Sequence, residues 1–197
     1  MKTRLLKADA PGAVTEAAKA LTRGEVVAFP TDTVYGVAAA FGHEDALFVA
    51  KGRPQDRPIP VLLSDASHLE TSGIVTPAAR ALAARFWPGP LTIVVAAPRR
   101  GTVGFRVPAS DLARRLIAAS GGQLPVTSAN LSGRPDAQTA REVLEQLDGR
   151  IALVLDGGRT PGGVPSTVVD CTGPEARILR EGAIPARDIR AAIRSAA

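Results

Sequence analysis

Two strand-like segments stand almost back to back in the middle of this chain: LTIVVAAP from Leu91 and VGFRVP from Val103, with only RRGT between them. Both are rich in β-branched residues and both close on a proline. No helix fits in the gap, so the sheet they enter is expected to be mixed and not purely parallel. Elsewhere strand and helix patterns alternate, with no low-complexity linker and no internal repeat. The prediction is an α/β fold in one domain over 1–197, and a plain Rossmann arrangement is disfavoured.

Local signals place the other elements. GAVTEAAKALTRG reads as a helix with Val14, Ala17, Ala18 and Leu21 on one face and Gly24 as its stop, followed by a buried strand over Glu25 to Phe29. Thr76-Pro77 opens a helix running to about Phe86, and Ser110 to Ala119 is another. Gln123 to Thr127 suits a short strand, and Thr139 with Glu142 makes a capping box for a helix ending near Leu147. IALVLDGG is a further strand, TVVDCT and ARILREG are the last two, and a helix starts at Pro185.

Composition narrows the class. A chain of 197 residues with 45% hydrophobic and 22% charged residues can bury a sizeable core. The single cysteine, Cys171, excludes an internal disulfide and a CxxC-type zinc site, which fits a reducing compartment. The amino terminus lacks a signal-peptide apolar stretch, and charges interrupt every apolar run before membrane-spanning length, so a soluble cytoplasmic protein with no membrane partner is expected. A net charge of +5 favours anionic partners such as nucleotides or RNA. Lys51 is the only lysine beyond the first twenty positions.

Three segments carry candidate chemistry. In FPTDTVYGVAA a hydrophobic strand runs into Pro30, Thr31, Asp32, Thr33, Tyr35 and Gly36, so hydroxyls gather where a strand ends, a usual place for ligands in α/β sheets. In AKGRPQDRPIPVLL a helical stretch stops at Gly52 and delivers Lys51, Arg53 and Arg57 into a loop stiffened by Pro54, Pro58 and Pro60; three cations in seven residues suit a polyphosphate. LPVTSANLSG repeats the order of strand, small polar residues and glycine, with Ser128, Asn130 and Ser132 as short-range donors. Taken singly, each segment equally describes a turn that satisfies its own backbone, or a solvated basic loop.

Two more segments complete the set. Arg106 alternates faces with Phe105 and Val107, which sends it either into a cavity or to solvent, and Ser166 enters a strand in GGVPSTVVD. The DGGRTPGG stretch reads as a mobile loop over Gly157 to Gly163, and Arg180 follows on the last strand. There is no GxxxxGK[ST] loop, GxSxG elbow, HExxH or Gly-rich dinucleotide fingerprint, and His43 and His68 lie in polar stretches. Catalysis by this chain is therefore expected to rest on positioning and positive charge, with no protein metal site.

In this order, PTDTVYG, KGRP, FWPGPLT, TSANLSG, PSTVVD and LREGAI resemble the YrdC-like threonylcarbamoyl-AMP synthase family over about Leu21 to Ile184. The resemblance is to the short, single-domain form. It implies a twisted mixed sheet around a deep basic cavity. It also implies nucleotidyltransferase chemistry: L-threonine, bicarbonate or CO2, and MgATP become threonylcarbamoyl-AMP and pyrophosphate, with Mg2+ held largely by the ATP. Partner proteins then move the threonylcarbamoyl group to the adenosine beside the anticodon of certain tRNAs. Weak binding of double-stranded RNA is compatible with such an enzyme.

The same resemblance assigns roles. Lys51, Arg53, Ser128 and Asn130 form the family's catalytic signature, with Lys51 and Asn130 expected at the phosphates and the reacting carbamate. Thr33, Leu62, Arg106 and Ser166 correspond to threonine contacts, Arg106 taking the carboxylate, with a backbone contact near Val126. Arg53, Arg57, Thr102, Ser128, Asp136 and Arg180 correspond to the ATP set. The chain departs from the family pattern at Leu62, where some members carry a histidine, at Pro60 within a usually aliphatic run, and at Glu181 in place of a proline.

Two alternative readings share features with this one. A carbamoyl-adenylate-forming domain, like that of hydrogenase-maturation proteins, shares this fold and chemistry, but those proteins carry a cysteine-rich zinc segment that one cysteine cannot form. A non-catalytic RNA-binding module fits the basic charge but not the 4% aromatic content, which leaves little for base stacking.

Overall fold

The computed structural model of the chain describes residues 2–98 and 100–194. In chain order these form β1 (Arg4–Lys7), α1 (Ala13–Thr22), β2 (Val27–Pro30), β3 (Tyr35–Ala38), α2 (Asp45–Lys51), β4 (Val61–Leu63), α3 (Ser67–Ser72), α4 (Pro77–Phe86) and β5 (Leu91–Ala97). There follow β6 (Gly101–Arg106), α5 (Asp111–Ala119), β7 (Gln123–Ser128), α6 (Ala140–Leu147), β8 (Leu153–Asp156), β9 (Thr167–Asp170), β10 (Arg177–Arg180) and α7 (Ala186–Arg194).

The strands join in one sheet of order β1-β8-β2-β3-β7-β4-β6-β5-β9-β10. It is mixed, as the adjacent strand patterns require: β5 and β6 pair antiparallel, Ile93 opposite Phe105, while β4 runs parallel to β6 and β9 parallel to β5. Among the described residues no helix is long and apolar enough to cross a membrane.

The helices begin where the capping residues sit. The hydroxyls of Thr76, Ser110 and Thr139 accept from the backbone N–H groups of Ala79, Ala113 and Glu142 at 3.2, 3.3 and 3.2 Å. Glu142 Oε2 in turn accepts from Gln138 N–H at 2.6 Å, a variant of the expected capping box. α1 ends before Gly24, whose φ of +79° suits glycine, and a Cβ there would lie 2.6 Å from the His43 ring. His43 thus seals a helix end.

Period-two alternation sorts the core. Val27 and Phe29 of β2 and Leu153 and Leu155 of β8 face a cluster under α1 and α5, whereas Ala28 and Val154 face one built with α2 and α6. In the other half, Val61, Leu63, Ile93, Val95, Phe105 and Val169 pack toward α3, α4 and α7. Their neighbours in sequence, Leu62, Thr92, Val94, Gly104, Arg106 and Val168, point to the opposite face, where they line a cavity; Leu62 also packs into the cluster under α5.

Candidate functional site

The cavity has a volume of about 370 Å³, the size of a small-molecule site. Its floor is the bare sheet face, and its rim comes from the turn after β2, the loop after α2, the segment after β7, and Pro165 to Ser166 ahead of β9. Among the described residues on its wall the charged side chains are Arg53, Arg106 and Arg180, against the carboxylate of Asp136.

Arg106 settles into this wall through three acceptors. Nε donates to Gly89 O at 3.0 Å, Nη1 to Thr33 Oγ1 at 3.0 Å, and Nη2 to Asp32 Oδ1 at 2.6 Å. Burial pushes its pKa down, Asp32 opposes that, and the charge of Arg180 adds to it. Thr33 and Thr31 hydroxyls lie 3.0 Å apart, and Thr31 Oγ1 donates to Val34 O at 2.7 Å, which locks the hairpin turn.

Ser166 brings together a second set. Its Oγ is 2.8 Å from Thr92 Oγ1, and its carbonyl accepts from Arg180 Nη2 at 2.8 Å and Nε at 3.2 Å. Arg180, expected with the ATP set, therefore stands beside Ser166 and within electrostatic reach of Arg106.

Arg53 and Ser128 make the third set. Arg53 donates to Pro58 O at 3.2 Å through Nη2, but its Nε is buried with no hydrogen-bond partner. Burial pushes the Arg53 pKa down, and the neighbouring Arg57 adds to the fall. Behind Ser128, Lys51 Nζ donates to Ser128 O, to Asn130 O at 2.6 Å and to Asn130 Oδ1 at 3.0 Å. Asn130 Nδ2 donates to Leu131 O at 3.1 Å and Arg134 O at 2.6 Å, which fixes the amide orientation. Ser128 Oγ donates to Asn130 Oδ1 at 2.5 Å.

All five residues expected at threonine, Thr33, Leu62, Arg106, Val126 and Ser166, lie on the wall, as do Arg53, Ser128, Asp136 and Arg180. Lys51 and Asn130 are buried behind it, and Arg57 and Thr102 are exposed outside it. The stretch over Gly157 to Gly163, expected to be a mobile loop, is tied down in this structure: Tyr35 Oη donates to Gly158 O at 2.7 Å, Thr160 N–H to Gln138 O at 2.9 Å, and Gly163 N–H to Thr33 O at 2.7 Å. No group of three His, Cys, Asp or Glu side chains gathers among the described residues as a metal site.

Asp32 and Thr92 fall inside the family-like segments PTDTVYG and FWPGPLT, but no role is assigned to either there. Thr92 had a visible signal, a hydroxyl inside the apolar run LTIVVAAP. Asp32 was indistinguishable from a turn aspartate, because its partner is 74 residues away.

A mixed α/β domain whose bare sheet face gathers three guanidiniums among hydroxyls has the shape and charge to suit a small anionic molecule. The chain belongs to the Sua5/YciO/YrdC family, whose model, described as telomere recombination, matches residues 19–182. It is 43% identical over 194 residues to the threonylcarbamoyl-AMP synthase of Bacillus subtilis, covering 91% of this chain and 56% of that protein. Against the enzyme of the same name from Pyrococcus abyssi the identity is 40% over 190 residues, covering 90% and 56%. The chain therefore spans little more than half the length of these curated relatives.

Among solved structures, P. abyssi Sua5 complexed with L-threonine superposes with a TM-score of 0.91 at 35% identity, covering 98% of this chain and 61% of that one. Escherichia coli YciO shares the fold, with a TM-score of 0.79 at 24% identity over 92% and 95% of the two chains.

Proposed function

We propose that the cavity makes threonylcarbamoyl-AMP and pyrophosphate from L-threonine, bicarbonate or CO2, and MgATP. The names of the B. subtilis and P. abyssi relatives and the L-threonine bound to P. abyssi Sua5 support this reading. The observation that carries it is the convergence of the Arg53, Arg106 and Arg180 guanidiniums on one small-molecule cavity. Guanidiniums pair with carboxylate and phosphate oxygens through charge-assisted hydrogen bonds, which suits a carboxylate substrate beside a nucleotide.

The chemistry follows from the groups present. The threonine amine adds to CO2 and loses a proton, giving a carbamate. A carbamate oxygen then attacks the α-phosphorus of ATP, the bond from that phosphorus to the bridging oxygen breaks, and pyrophosphate leaves with magnesium. The carbamate is already an anionic nucleophile, so alignment and charge dispersal matter more than a protein base.

In this reading Arg106, Thr33 and Ser166 hold threonine, and Arg53 and Ser128 hold the nucleotide. Arg180, bonded to Ser166 and near Arg106, stands where carbamate and phosphate meet. Lys51 and Asn130 act from behind the wall, shaping the turn that presents Ser128. The product serves the threonylcarbamoyladenosine modification of tRNA, through partner proteins.

The test is incubation of purified protein with threonine, bicarbonate and MgATP, with detection of pyrophosphate and the mixed adenylate. Omission of threonine is expected to abolish both. Equal pyrophosphate without threonine rules out the substrate assignment.

A further inference from the structure

We propose that Asp32 is a positioning residue for Arg106, aiming its guanidinium at a substrate carboxylate; this rests on the reading of Arg106 as the threonine contact. Asp32 belongs to the turn between β2 and β3, and the side chains of Asp32 and Arg106 are 10% and 7% exposed. Thr33 and Arg106 lie on the cavity wall and Asp32 does not. The carboxylate therefore grips the guanidinium from outside the ligand space.

A guanidinium has five N–H groups. Gly89 O, Thr33 Oγ1 and Asp32 Oδ1 take one each, from Nε, Nη1 and Nη2. Each terminal nitrogen keeps one N–H, and a carboxylate has two oxygens that can accept such donors. Without Asp32 the buried cation loses its counter-charge and one of its three anchors, while Arg180 still repels it. A guanidinium held in place before the ligand arrives spares the cost of ordering it on binding.

Orientation and charge can be separated by substitution. Asp32→Asn keeps an oxygen at the same place and removes the charge, Asp32→Glu keeps the charge and moves the carboxylate by one methylene, and Asp32→Ala removes both. The measurements are calorimetric titration of L-threonine and steady-state kinetics with each substrate varied.

Loss of a buried charge partner's hold is expected to raise the threonine Kd and KM about tenfold or more in Asp32→Ala and Asp32→Glu, with the ATP KM within about twofold of wild type. Asp32→Asn keeps the acceptor oxygen and removes the counter-charge, so its threonine Kd is expected to rise less than in Asp32→Ala, with the ATP KM within about twofold of wild type. If Asp32→Ala does not fold, the selective loss of threonine over ATP in the Glu and Asn variants decides. Unchanged threonine binding in the folded variants, or equal loss for both substrates, overturns the role of Asp32 while wild-type binding stands. A wild-type chain that binds no L-threonine overturns the substrate reading and this inference with it.

Discussion

Lys51 and Asn130 are joined twice, Lys51 Nζ donating to the Asn130 carbonyl at 2.6 Å and to its Oδ1 at 3.0 Å, from a position only 2% exposed. Burial, with the charge of Arg53 second, pushes the Lys51 pKa down to about 8 from 10.5. Between those values the unfolded chain binds a proton that the folded chain does not, so the free energy of unfolding rises with pH there. Lys51→Met has no such group. The stability of wild type relative to Lys51→Met is expected to grow between pH 8 and 10.5 in urea titrations, and to be lowest below pH 8. A difference that shrinks over that range would show the three-oxygen cage holding the ammonium against its burial.

Arg53 and Arg106 serve different ligands in the proposed site. Losing a charged hydrogen-bond donor costs about 1.5–3 kcal/mol. Arg53→Ala is expected to raise the ATP KM by roughly ten- to a hundredfold with a smaller effect on threonine, and Arg106→Ala to do the reverse. Steady-state kinetics with one substrate varied at a time distinguish the two; matched losses in both variants rule out the division.

Tyr35 is buried beneath the segment it anchors, and burial pushes its phenol up to about 12, with Asp156 adding to the rise. The phenol is protonated at neutral pH and donates to Gly158 O at 2.7 Å. Tyr35→Phe is expected to cost about 1 kcal/mol in denaturant unfolding, with faster proteolysis between Gly157 and Gly163. Wild-type cleavage rates would show that the other two backbone ties suffice.

Gly104 lies on the cavity floor with an ordinary strand backbone. A Cβ there would approach Thr92 Cγ2 at 3.0 Å, and Thr92 is hydrogen-bonded to Ser166. Gly104→Ala is expected to keep its thermal stability within about 1 kcal/mol of wild type while raising the threonine KM severalfold. A fall in stability with unchanged kinetics would mean that the methyl group strains the sheet without entering the ligand space.

The longer elements were legible because several signals agree in each. Ser110 and Thr139 announce helices, and the adjacent runs around Leu91 and Val103 announce an antiparallel pair. β1, β3, β4 and α3 lack such agreement: the hydroxyls before β3 make it look like one long turn, β4 has three residues beside Pro60, and α3 has six. Lys51 and Arg53 are two residues apart, yet one is buried behind the wall and the other lies on it. Lys51 ends α2, and Gly52 with φ 57° turns the chain before Arg53. Spacing alone could not place them, because a left-handed glycine resets direction. Arg106 was open between two faces, and only the pairing of β6 between β4 and β5 decides which one is bare.

The strands β4, β5, β6 and β9 keep separate accounts on their two surfaces, one toward α3, α4 and α7, the other toward the ligand space. Val94 and Val168 can change shape or polarity while Val61, Leu63, Ile93, Val95 and Val169 go on holding the sheet to its helices. Altered ligand preference and preserved foldability are thus assigned to alternate residues of the same short segments. A scaffold of this kind can drift toward new small molecules by single substitutions at every second position, with its architecture left undisturbed.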